Sequence, residues 1–283
     1  MISSSKSTPP VDPARIWWCP TGPLAFLPLH AAGTYSRNGR SPLGSCISDF
    51  AISSYTPTVS SLLQKLKQSD STQQPESSKL LIISQPKTPG RSPIPATTKE
   101  ADRIWATIGA LQERSLRLEG EGALVSRVKL EMEAHGSIHL AASQDLKNPL
   151  KSGFYLHDGR LELSEIMKQK FAVRGLAFLS ACETSTGDAK LSEEVVHLAA
   201  GMLAAGYQSV VATTWSIKDQ FGPVVAESFY KDLMESGKTL GKTGIDSSGA
   251  ARALHHAIQG LRETVGDSEQ GLLTWVPYVH FGY

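Results

Sequence analysis

Gly175 to Gly187 reads GLAFLSACETSTG. The half up to Ala181 is the most apolar strand-length run in the chain, and the half beyond it is small and polar. An apolar run without alternation fits a strand buried on both faces, as in parallel sheets. This one empties into a polar loop at Cys182. In open α/β sheets, working groups gather at the carboxyl ends of such strands.

The same pattern recurs outward from this point. Lys79 to Ser84 (KLLIIS), Ser137 to Ala142 (SIHLAA) and Ser209 to Thr213 (SVVAT) read as strands, as do Arg15 to Cys19, Asp49 to Tyr55 and Trp275 to Gly282. Helical spacing fills the intervals over 58–67, 123–132, 161–168, 192–205, 222–233 and 250–264. Thr97 and Glu100 are spaced as a capping box, which predicts a helix from there to Leu111. Strands alternating with helices predict an α/β fold with a mainly parallel sheet and helices on both faces. Residues 1–14 read as a loose Ser/Thr/Pro-rich tail and 15–283 as one domain. Gln68 to Ser78 reads as a polar surface loop. Glu235 to Gly249, with four glycines, reads as a mobile insertion.

Composition narrows the function. Of 283 residues, 40% are hydrophobic and 19% charged, enough for a sizeable core and unlike a disordered chain. The 28 basic and 27 acidic residues nearly cancel, so no basic surface for nucleic acid or anionic membrane is expected. No apolar run reaches the length of a membrane span. Three cysteines, Cys19, Cys46 and Cys182, are too few and too odd for a disulfide scaffold, and fit a reducing cytoplasmic setting. No CxxC or HxxxH pair suggests zinc, and no cofactor motif is present.

A thiol that acts as a nucleophile needs a base within hydrogen-bond reach. The neighbouring strand offers His139. Position alone leaves Cys182 open between a structural and a reactive thiol, and His139 between a strand histidine and a base. His197, His157 and the His255-His256 pair read as packing or surface residues.

Leu179 to Gly187 (LSACETSTG) and Glu194 to Trp215 (EVVHLAAGMLAAGYQSVVATTW) resemble the CHAT domain family, its fungal members especially. Trp18 to Pro28, Asn148 to Asp158, Phe229-Tyr230 and Trp275 to Gly282 carry the likeness across residues 15–283. The family groups with the caspase, separase and gingipain cysteine peptidases. The resemblance implies a caspase-like fold and, ancestrally, peptide-bond hydrolysis through a thioester on Cys182. It implies a protein or peptide partner, with helical-repeat modules on the same longer protein or on a partner. It also implies that Trp215, Ser216 and Asp219 line the substrate pocket. There Asp219 would select a basic residue; the plainer reading, a solvated helix-start aspartate, comes first.

One expected group is missing. The family reads His-Leu/Phe-Ala-Cys-His-Gly, and the base is the second histidine. Here the chain reads His139-Leu140-Ala141-Ala142-Ser143-Gln144. His139 matches the first, non-catalytic histidine. Aligned without a gap, Ser143 stands in the place of the base, where its hydroxyl could contact peptide but cannot take a proton near neutral pH; aligned with a short deletion, the base falls between Ala141 and Ala142. Four strand positions put His139 about 13 Å short. The sequence thus predicts a catalytically degenerate domain that binds protein or peptide. The alternative is an active endopeptidase using Cys182 and a rearranged or mis-sequenced histidine, with His139 as its one candidate.

Overall fold

The computed structural model of the chain describes residues 9–10, 12–36, 39–69, 79–145, 152–169, 174–180, 191–215 and 217–282. Cys182, Ser216, most of the loop 68–78 and the first eight residues of the expected tail lie outside them.

Strand β1 (Ala14–Trp18) opens the fold one residue inside the expected tail, and Asp12 just before it pairs with Arg252. β2 (Ala51–Tyr55) and helix α1 (Val59–Ser69) follow. β3 (Leu80–Ser84), α2 (Ala96–Ile108), β4 (Leu116–Glu119), α3 (Val125–Ala134) and β5 (Ser137–Ala141) make successive βα units. A small antiparallel sheet of β6 (Gln144–Asp145), β7 (Gly153–Tyr155) and β8 (Arg160–Glu162) interrupts them, leading into α4 (Leu163–Lys168). β9 (Arg174–Ser180), α5 (Leu191–Ala204), β10 (Tyr207–Thr213), α6 (Gly222–Thr239), α7 (Ala250–Val265), α8 (Glu269–Trp275) and β11 (Tyr278–Gly282) complete the chain.

The main sheet has eight strands in the order β1-β2-β11-β10-β9-β5-β3-β4. All neighbours pair in parallel except β10 and β11. β9 therefore sits mid-sheet beside β5, as the apolar reading of 175–181 predicts. All seven residues of β9 and all five of β3 are buried, because helices cover both faces. Alternation sorts the side chains: Leu80, Ile82, Leu176, Phe178 and Val211 face α2, α6 and α7, while Leu81, Ile138, Leu140, Leu179 and Val210 face α3, α4 and α5.

Two expectations fail. The capping box at Thr97 and Glu100 does not form. The helix enters two residues early, with Pro95 at the N-cap, so Thr97 lies inside the first turn and donates to the Ile94 carbonyl at 2.9 Å. Glu100 then falls on the stripe of Thr97, Ala101, Ile104 and Ile108 and turns into the core. The segment 235–249 is also no loose insertion. α6 continues to Thr239, Ile245 is buried in the core, and Lys242 holds Asp246 at 2.6 Å. Asp246 caps the next turn through the Ser248 N–H, and the Ser247 carbonyl accepts from Ser209 on β10. Those contacts offset the ordering entropy that the glycines raise.

Candidate functional site

The carboxyl ends of β3, β5 and β9 lie side by side. Register sets Ser84 opposite Ala141 and Ala141 opposite Ser180. One pair of residues earlier, Ile82, His139 and Phe178 form the row beneath. His139 is thus level with Phe178, four residues before Cys182 in the sequence. The described part of β9 ends at Ser180.

His139 points into the helix layer of α2 and α6 and is fully buried. Its ring lies 4.8 Å from that of Phe178 and 5.7 Å from that of Tyr230. Nε2 stands 3.0 Å from Glu100 Oε1, a close pair whose approach is not aligned as a regular hydrogen bond. The other oxygen, Oε2, accepts from Ser180 Oγ at 3.0 Å. Nδ1 lies 3.3 Å from the Tyr230 hydroxyl. Burial first, and then the Glu100 carboxylate, holds the Tyr230 phenol well above its ordinary value, so it stays a donor. A tautomer that accepts from Tyr230 at Nδ1 carries its N–H on Nε2, facing Glu100. Gly222, at the start of α6, completes the enclosure: a Cβ there would stand 3.0 Å from Glu100 Oε2. The positive end of the α6 dipole thus adjoins the carboxylate.

Sequence reasoning missed Glu100, Ser180 and Tyr230. The signal was available for Glu100, a charged residue at helical spacing within an apolar stripe.

Beyond Ala141 the chain does not present a histidine. Ser143 and Gln144 are buried, and β6 turns away to pair with β7, the Ser143 carbonyl accepting from the Tyr155 N–H at 2.8 Å. Ser143 Oγ has no hydrogen-bond partner among the described residues.

Trp215 and Asp219 part company. Trp215, at the end of β10, donates from Nε1 to the Leu273 carbonyl at 3.0 Å and lines an apolar groove. Asp219 is half-buried in the turn before α6 and is not among the groove's lining residues. The groove, about 240 Å³, runs over β11 and β2 between α5 and the segment 20–28. His30 and Tyr55 at its floor are mutually satisfied. His30 Nε2 donates to the Val276 carbonyl at 2.9 Å, and Nδ1 accepts from the Tyr55 hydroxyl at 2.8 Å. Burial, against the pull of Val276, lowers the His30 pKa to about 4, so the ring is neutral.

A central parallel half-sheet, helices on both faces and functional groups at the strand ends define a caspase-like α/β fold. The Arg-specific cysteine proteinase gingipain R has a similar fold, with a TM-score of 0.55 at 12% identity, over 82% of this chain and 54% of that one. The separase of a Saccharomyces cerevisiae separase–securin complex aligns with a TM-score of 0.49 at 13% identity, over 83% of this chain and 14% of that one. The chain thus spans about half the length of the gingipain it matches. Among curated proteins, none matches. The CHAT domain model matches residues 4–283, and the chain belongs to the CHAT domain family.

Proposed function

We propose that this chain is a catalytically degenerate CHAT domain, of fungal type and cytoplasmic, that binds a protein or peptide through the strand-end cleft of a cysteine peptidase. The observation that carries the reading is the state of His139. It is sealed from solvent, and both of its nitrogens face protein partners. A general base must reach the thiol and then return the proton to the leaving amine. A histidine closed between Glu100 and Tyr230 does neither. An unassisted thiol with a pKa near 8.5 is still a few per cent ionised at neutral pH, so the larger deficit is in protonating the leaving group.

The test is hydrolysis of a mixed peptide pool at neutral pH. Turnover no greater than that of Cys182→Ala supports the reading. Turnover that Cys182→Ala abolishes contradicts it.

A further inference from the structure

We infer that the groove between α5 and the segment 20–28 docks one bulky, uncharged apolar side chain from an extended segment of a partner protein. This rests on the peptide-binding reading above and names the chemistry of its partner.

Charge comes first. Among the described residues, no Asp, Glu, Lys or Arg lines the groove. Apolar walls come from Leu27, Val196, Ala200, Trp215, Val279 and Phe281. A charged side chain entering it would lose its hydration with no counter-charge in return.

Hydrogen bonding points the same way. Among the described residues, the polar groups of the lining other than His197 are already committed inside the protein. Both nitrogens of His30 and the Tyr55 hydroxyl are used. Thr214 Oγ1 donates to the Pro277 carbonyl at 3.2 Å, Trp215 Nε1 to that of Leu273, and Thr56 Oγ1 to that of Thr58 at 3.0 Å. The remaining polar side chain, His197, is exposed on α5. An occupant gains little by bringing its own donors, and gains by burying hydrocarbon.

Size and placement select a side chain. A cavity of roughly 150 Å³ accepts a benzene ring, so about 240 Å³ takes one large aromatic or branched aliphatic group. At one end are Thr214 and Trp215, which follow β10, the parallel neighbour of β9. A peptide lying across the strand ends therefore passes the groove's mouth. Leu27, a lining residue that is 53% exposed, carries the apolar wall out to the surface. On this account the groove, rather than Asp219, sets the preference, and it favours an apolar side chain over a basic one.

The experiment uses the full chain and capped pentapeptides Ac-Ala-Ala-X-Ala-Ala-NH2, with X as Trp, Leu, Asp or Arg, titrated by NMR. Ala200→Phe fills the groove from α5, and Leu27→Asp charges its rim without entering the core. The Trp and Leu peptides should bind saturably, at least tenfold tighter than the Asp and Arg peptides, and each variant should weaken them at least tenfold. Equal binding of the charged peptides, or binding untouched by both variants, overturns the inference. So does free indole binding as tightly as the Trp peptide, which would make the groove a small-molecule pocket. Cleavage of these peptides that Cys182→Ala abolishes would instead refute catalytic silence and leave the groove's preference standing.

Discussion

Glu100 Oε1 lies 3.0 Å from Nε2 of His139, and solvent reaches almost none of either residue. Through its other oxygen Glu100 also holds Ser180, so one helix side chain ties together the ends of β5 and β9. Removing it leaves a buried imidazole nitrogen facing no carboxylate and a buried hydroxyl without its acceptor. Glu100→Ala should lower stability by about 2 kcal/mol, and Glu100→Gln by less, because it keeps an acceptor for Ser180. Urea unfolding of the three forms measures this. A Glu100→Ala midpoint equal to that of the parent chain would show that the contact contributes nothing.

Acid should act first through histidines. Burial holds His30 at about 4 and His280 well below 6.5; Arg15 adds to the shift of His280. His255 is also lowered to about 4, by burial and then by the charges of His256 and Arg252. All three are neutral when folded, while the unfolded chain takes up protons below about 6.5. Their folded-state values are depressed, so the stability is fully present above pH 6.5 and is lost as pH falls toward 4. Unfolding midpoints measured across that range should drop, and His30→Gln should flatten the slope. A midpoint constant from pH 7 to pH 4.5 would contradict this.

A second acid limb belongs to Arg262, buried between Asp49 at 2.6 Å and Asp267 at 2.7 Å. Burial opposes ionisation of Asp49, but the Cys46 N–H and the Arg262 guanidinium outweigh it and lower its pKa. Burial likewise opposes ionisation of Asp267, and Arg262 again prevails. Both contribute stability above the ordinary aspartate value near 3.8, lost as pH falls through their folded-state values. Arg262→Gln should cost about 3 kcal/mol at pH 7 by leaving two buried carboxylates unpaired. The loss should shrink below pH 3.5. An unchanged midpoint at pH 7 would rule out the network as a stabilising feature.

Gly271 in α8 has no room for a side chain, since a Cβ there would meet the Gly266 carbonyl oxygen at 2.2 Å. Gly271→Ala should cost about 2 kcal/mol by overpacking. It should also alter Trp215 fluorescence, because Trp215 is anchored to α8 through Leu273. A normal spectrum with normal stability would show that α8 shifts freely and does not support the groove.

The strands that make the centre of the sheet were legible because burial on both faces writes itself as uninterrupted apolar residues, as in Leu80 to Ile83 and Leu176 to Leu179. β4 was not, because it is an edge strand whose Arg117 and Glu119 pair with each other at the surface. The sheet of β6, β7 and β8 escaped notice because two- and three-residue strands carry no period. At the site, the absence of a histidine after Ala141 was plain from the residues alone. The setting of His139 was not, because its partners come from α2 and α6, far away in sequence. Glu100 was read as a cap because spacing alone does not say where a helix enters. Pro95 decided that, and a shift of two residues turned an expected capping carboxylate into a buried one.

The most direct test compares amide-peptide turnover by the chain, Cys182→Ala, His139→Ala and a form with Cys-His inserted between Ala141 and Ala142. The account predicts that the chain and both substitutions share the same background rate, and that His139→Ala is less stable. Any gain should appear in the inserted form alone and should vanish when Cys182→Ala is added. Turnover by the unaltered chain that both Cys182→Ala and His139→Ala abolish would contradict the account, because it would make His139 a working base.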